Sequence, residues 1–97
     1  MSLPVVLGPD AARDVETVAA WYEEKAGSGA QFVAKVQEVL DRIGPMPESH
    51  AVVYRDLRRA RVPRFPYNLC YRVLGDRVEI LAVVHNRRDP SAWKSRA

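Results

Sequence analysis

Disulfides are excluded first. Cys70 is the single cysteine in 97 residues, which rules out an intramolecular disulfide framework and suits a reducing cytoplasm. No apolar run approaches the roughly 20 residues needed to span a bilayer, so no membrane partner is expected. The opening Met-Ser-Leu-Pro-Val-Val-Leu lacks the basic flank and small-residue cleavage site of a secretory signal, which again points to the cytoplasm. Histidine is scarce too. No second His, Cys or carboxylate stands at ligand spacing from His50, so no metal and no cofactor are expected. Internal repeats and low-complexity linkers are missing, which leaves a single domain over residues 1–97.

The composition, 47% hydrophobic and 28% charged, is that of a chain that can bury a core. Its net charge of +3 hides a division. Residues 1–54 carry 4 Lys/Arg against 8 Asp/Glu, whereas residues 55–97 carry 11 against 4, and ten of those eleven cations are arginine. Arginine suits planar, bidentate contacts with phosphate or carboxylate. The C-terminal half therefore offers either a solvated basic face or a surface for nucleic acid or an acidic protein segment.

Hydrophobic periodicity divides the chain. Val5-Val6-Leu7, between Pro4 and Pro9, reads as a short strand at a sheet edge. Asp10 stands where a helix N-cap is wanted, and Val15, Val18, Ala19, Tyr22 and Ala26 form one helical stripe that ends at Gly27. Ser28 and Gln31 form a capping-box pair for a second helix with the stripe Phe32, Val36, Val39, Leu40 and Ile43, closed by Gly44-Pro45. So short a turn gives an antiparallel helical hairpin. Adjacent Glu23 and Glu24 do not face each other on a helix and read as an acidic rim.

After the connector from Pro45 to His50, the segment from Val52 to Val62 reads as a strand or strand pair. Leu57, Arg59 and Arg61 share one of its faces, and Arg58, Ala60 and Val62 the other. Two further runs, Tyr67 to Val73 and Val78 to His85, flank a Gly75-Asp76 turn and predict a β-hairpin. Tyr67, Leu69, Tyr71 and Val73 read as its core face, while Asn68, Cys70, Arg72 and Leu74 are left to meet a partner. Cys70 reads as a small, half-buried strand residue rather than a nucleophile. The expected class is α+β: an N-terminal strand and an antiparallel helical hairpin on a twisted antiparallel sheet of about three to four strands, with the basic face open.

Four fragments in this order carry a family likeness: Trp21-Tyr22-Glu23, Arg64-Phe65-Pro66-Tyr67, Tyr71-Arg72-Val73, and His85-Asn86-Arg87-Arg88-Asp89-Pro90 followed by Trp93. With them the chain resembles, over nearly its full length, the RelE/ParE superfamily of toxins from bacterial toxin–antitoxin modules. The resemblance implies a cognate antitoxin whose acidic or disordered C-terminal segment wraps the toxin. It also implies one of two targets: the ribosome with its mRNA, cleaved by the RelE-like branch, or DNA gyrase, poisoned by the ParE-like branch.

Cleavage through a ribose 2′-hydroxyl needs a base, a stabiliser of the charged phosphorane and an acid for the leaving oxygen. Carried over from the nuclease branch, Arg59, Arg61 and Arg87 match its basic positions in type and place. Asn68 stands where that branch has an arginine, and Trp93 where it has a C-terminal tyrosine. An indole N–H donates but is no base. His85 is the remaining candidate base, or else a structural residue at the sheet margin. The two departures favour a ParE-like gyrase poison, in which Arg59, Arg61, Arg64, Asn68, Arg72, Arg87, Arg88 and Trp93 bind target or antitoxin and catalyse nothing. The alternatives are a ribosome-dependent mRNA endonuclease using Arg59, Arg61, His85 and Arg87, and an inactive member that only binds its antitoxin.

Overall fold

The computed structural model describes residues 2–87 and 91–96. In order come β1 (Val5–Leu7), α1 (Pro9–Ala26), α2 (Gly29–Ile43), β2 (Val52–Tyr54), β3 (Leu57–Arg61), β4 (Tyr67–Val73), β5 (Val78–His85) and α3 (Ser91–Lys94). The strands form one sheet in the order β1-β5-β4-β3-β2. The class is α+β as expected, but the sheet has five strands rather than three or four. The segment from Val52 folds back at Arg55-Asp56, where Arg55 takes φ 52°, and so supplies two strands. The sheet is also mixed, because β1 runs parallel to β5 at one edge.

The helical hairpin forms as the periodicity predicts, with two local corrections. Gly8 rather than Asp10 is the N-cap of α1, because Pro9 fits the first helical position and moves the start back by two residues. Ser28 does occupy the N-cap of α2, yet its side chain makes no capping bond. Glu23 reaches across from α1 instead and accepts the Gly29 N–H at 3.1 Å. The connection is tight enough to demand two glycines. Gly27 sits at φ 61°, in the left-handed region, and a Cβ on Gly29 would lie 2.6 Å from the Ala19 carbonyl. All five predicted stripe residues of α2 are buried. In α1 the stripe starts earlier, since Ala11 is fully buried while Ala26 at the far end is exposed.

The main core lies between this hairpin and one sheet face. Phe32, Val36, Val39 and Ile43 meet Ala60, Val62, Leu69, Tyr71, Val78, Ile80 and Val83. Each large apolar side chain fully buried there stabilises the fold by about 1.5–3 kcal/mol. Tyr22 extends the core with rings stacked on Phe32 at 5.7 Å and edge-on to Phe65 at 4.8 Å, which ties the hairpin to the β3–β4 turn.

One irregularity decides what faces where. Cys70 pairs with Ala82 but Tyr71 pairs with Ile80, so Leu81 is an extra residue, a bulge in β5. Val78 and Ile80 point at the helices before it and Val83 does so after it, while Leu81, Ala82 and Val84 belong to the opposite face. Asp14 of α1 accepts the Val83 N–H at 3.0 Å just beyond the bulge. The far face was expected to be open, and half of it is covered. Trp93 of α3 lies 6% exposed on Leu57, Cys70 and Ala82, and Arg96 pairs with Asp14 at 2.7 Å to bring the tail back to α1. Cys70 is therefore fully buried rather than half-buried.

Candidate functional site

Two concave surfaces stand on opposite faces of the sheet. On the helix side, α1 and the adjoining ends of β4 and β5 enclose a groove of about 640 Å³, walled by Trp21, Tyr22, Tyr67 and His85, with Asp14 and Val83 farther along. Trp21 is 54% exposed although its indole packs edge-on to Tyr22 at 5.1 Å. His85 pairs with Tyr67 in the β4–β5 register, and their rings meet at 5.1 Å. Its Nδ1 accepts the Arg87 backbone N–H at 3.1 Å. In the neutral ring that bond takes the lone pair a base would use and leaves the proton on Nε2.

On the far face, a polar hollow of about 460 Å³ is lined by His50, Arg59, Arg61, Asn68 and Asn86. The register explains the grouping, since Arg59 lies opposite Cys70 and Arg61 opposite Asn68. Asn68, only 8% exposed, donates its amide to the Asn86 side chain, and the Asn86 N–H is held by the Pro66 carbonyl at 2.8 Å. Arg59 and Arg61 are exposed, and their side chains have no hydrogen-bond or ion-pair partner among the described residues. Among the described residues, no carboxylate lines the hollow.

The residues singled out in the sequence are thus divided by the sheet. Arg59, Arg61 and Asn68 come together, and His85 lies across the sheet from them. Arg72 is on the far face in register with Glu79, half-buried, and its Nε has no partner among the described residues. Arg64 stands exposed at φ 70° in the β3–β4 turn, and Arg87 is exposed after β5. Arg88 lies outside the described residues. Trp93 is buried beneath α3, not offered to a partner. Its environment is apolar enough that burial pushes the neighbouring Cys70 thiol up to about 11, against the opposing pull of Arg59 and Arg96.

Periodicity missed His50 and Asn86. Asn86 stood inside a quoted fragment, but His50 had no local signal, because only the return of the connector to the sheet edge brings it near Arg59. That connector is fixed by Arg58, which donates to the His50 carbonyl at 2.7 Å, and by the Tyr71 hydroxyl, which donates to the Pro47 carbonyl at 2.7 Å. Burial raises the Tyr71 pKa and Arg58 lowers it, the first effect prevailing.

The family model of the ParE toxin of the type II toxin–antitoxin system parDE matches residues 5–90. The chain belongs to the ParE toxin family. It is a ParE-like toxin of a type II toxin–antitoxin system, and membership implies an antitoxin as partner. No curated protein sequence matches it significantly. Among solved structures it is similar to a chain of the chromosomal ParDE toxin–antitoxin system from P. aeruginosa, with a TM-score of 0.77 and 18% identity over 87% of this chain and 96% of that one. At that identity the likeness speaks for the fold. Among the described residues of this ParE-like chain, no helix is long and apolar enough to cross a membrane and no group of metal-binding side chains occurs.

Proposed function

We propose that this ParE-like toxin is a binding poison of DNA gyrase with no chemistry of its own, silenced when its antitoxin fills the groove beside α1. The observation that carries the reading is the division of the titratable groups. His85, the candidate base carried over from the nuclease branch, faces the helix-side groove, whereas Arg59 and Arg61 face away from it on the other side of the sheet, where the neighbouring His50 has its Nδ1 engaged by the Ser49 and Tyr71 hydroxyls. The nuclease set needs its base and its paired arginines at one phosphodiester, and the sheet sets Arg59 and Arg61 apart from His85, which keeps only Arg87 beside it. The arginines Arg59, Arg61, Arg64, Arg87 and Arg88 then serve contact with the target. The groove, with its aromatic wall and exposed Trp21, has the apolar anchor points that a protein segment needs.

The test is expression of the chain without antitoxin, with plasmid topology and transcripts followed in one culture. Gyrase-linked DNA breaks or altered supercoiling with intact transcripts are expected, and Arg87→Ala/Arg88→Ala should abolish toxicity with the fold intact. Codon-positioned cleavage of translated messages, lost in His85→Ala, would overturn the reading in favour of the nuclease. Normal growth with neither change would leave a chain that binds an antitoxin only.

A further inference from the structure

The far-face hollow has a chemistry that contact with a protein does not explain. We infer that Arg59, Arg61 and Asn86 form a phosphate-binding site that holds the backbone of duplex DNA. The choice of DNA rests on the gyrase reading, since that target works on a DNA duplex, while the binding itself is read without gyrase.

The described residues that line the hollow are all polar, and they are His, Arg and Asn. Protein segments dock through apolar and aromatic anchors as well as arginine, and of these the described lining of the hollow offers arginine alone. Phosphodiester backbones are held by arginine, amide and backbone donors in a polar, hydrated contact, which is what the hollow supplies. Arg59 and Arg61 are two residues apart on one strand face, so their Cα atoms are about 6.6 Å apart and both forks reach the same side of the sheet. Nothing among the described residues neutralises either one. Two cations side by side repel, and a bound polyanion removes that repulsion.

The amides add directional donors. Asn86 accepts from Asn68 through its Oδ1, which leaves its own NH₂ as the group free to donate into the hollow. Asn68, 8% exposed and anchored on β4, fixes that orientation. The hollow keeps its shape without a ligand, because the Pro66 carbonyl holds Asn86 and the β3–β4 register holds both arginines. Arg87 follows Asn86 in the chain and is exposed, which makes it the next cation a bound backbone would meet.

The experiment is fluorescence anisotropy of a fluorescein-labelled 20-base-pair DNA duplex titrated with the purified full-length chain at several salt concentrations. With three phosphates neutralised, affinity should fall about 40-fold between 50 and 200 mM salt. Arg59→Ala/Arg61→Ala should leave one contact and reduce that fall to about 4-fold, with an unchanged circular dichroism spectrum. Arg59→Lys/Arg61→Lys, which keeps the charge, should retain the salt dependence while binding more weakly through loss of the planar forks.

Four results would overturn the proposal: no binding at 50 mM salt, a salt dependence untouched by the alanine pair, displacement of the duplex by a polyglutamate peptide of equal charge, or RNA of the same sequence binding more than tenfold tighter. Failure of the gyrase reading would show in the topology assay and leave this titration unaltered, so the two can fail separately.

Discussion

The groove and the hollow share one sheet and differ in almost every physical respect. The groove is aromatic, flanked by the acidic half of the chain, and carries a half-exposed tryptophan at its rim. The hollow is polar, arginine-lined, and has a tryptophan buried nearby on its own face. An antiparallel pair needs only alternation to send successive side chains to opposite faces, so β4 builds both surfaces at once: Tyr67 goes to the groove and Asn68 to the hollow. One strand can therefore serve an apolar partner and a charged one without either compromising the other.

The two tryptophans offer the sharpest test of that contrast. Trp93→Ala removes a nearly fully buried ring from the far-face cluster and should cost about 3–5 kcal/mol. Trp21→Ala removes a ring more than half exposed and should cost less than about 1 kcal/mol. Urea unfolding of both variants measures the gap. Equal losses would mean that α3 does not cover the far face as described.

A smaller effect is expected where the two faces are joined. Asp14 accepts from the Val83 N–H at the bulge and pairs with Arg96 of the tail, with both side chains partly exposed. The ion pair also raises the Arg96 pKa, chiefly through the hydrogen bond to Asp14. Asp14→Ala strips the acceptor from both partners and should lower stability by about 1–3 kcal/mol in the same unfolding assay. If α3 is anchored through this pair, hydrogen exchange should quicken in β5 and in residues 93–96 together.

The smallest effect is a pH dependence that centres on the buried Cys70 thiol. Burial raises Cys70 from a thiol value of 9.0 to about 11, so the folded chain holds that proton more tightly than the unfolded one. Stability from this group is complete below about pH 9 and declines as the pH rises towards about 11. Tyr71, also raised by burial, acts in the same direction. Melting temperatures across this range should fall less steeply in Cys70→Ala than in the parent chain. An identical slope would show that the thiol is reached by solvent.

The order of these effects follows what could be read from residue order. The α2 stripe was legible to the last residue, because a helix buried on one side repeats its apolar positions every 3.6 residues and Phe32 to Ile43 do so without interruption. The two faces of β3 were equally legible from alternation, which placed Arg59 and Arg61 together. The faces of β5 were not legible, since the Leu81 bulge shifts the parity halfway along the strand and no residue there announces it. The covering of Cys70 by Trp93 was not legible either, as it depends on contacts between residues more than twenty positions apart.

The amino-acid order by itself therefore determined the helical hairpin, the strand positions, the basic C-terminal half and the family likeness, all of them consequences of local periodicity, turn chemistry and short motifs. Only the tertiary structure decided that β1 closes the sheet in parallel, that the tail folds back to Asp14, and that His85 and the paired arginines stand on opposite faces. Those outcomes depend on which distant segments find room against one another, and a local pattern carries no information about that room.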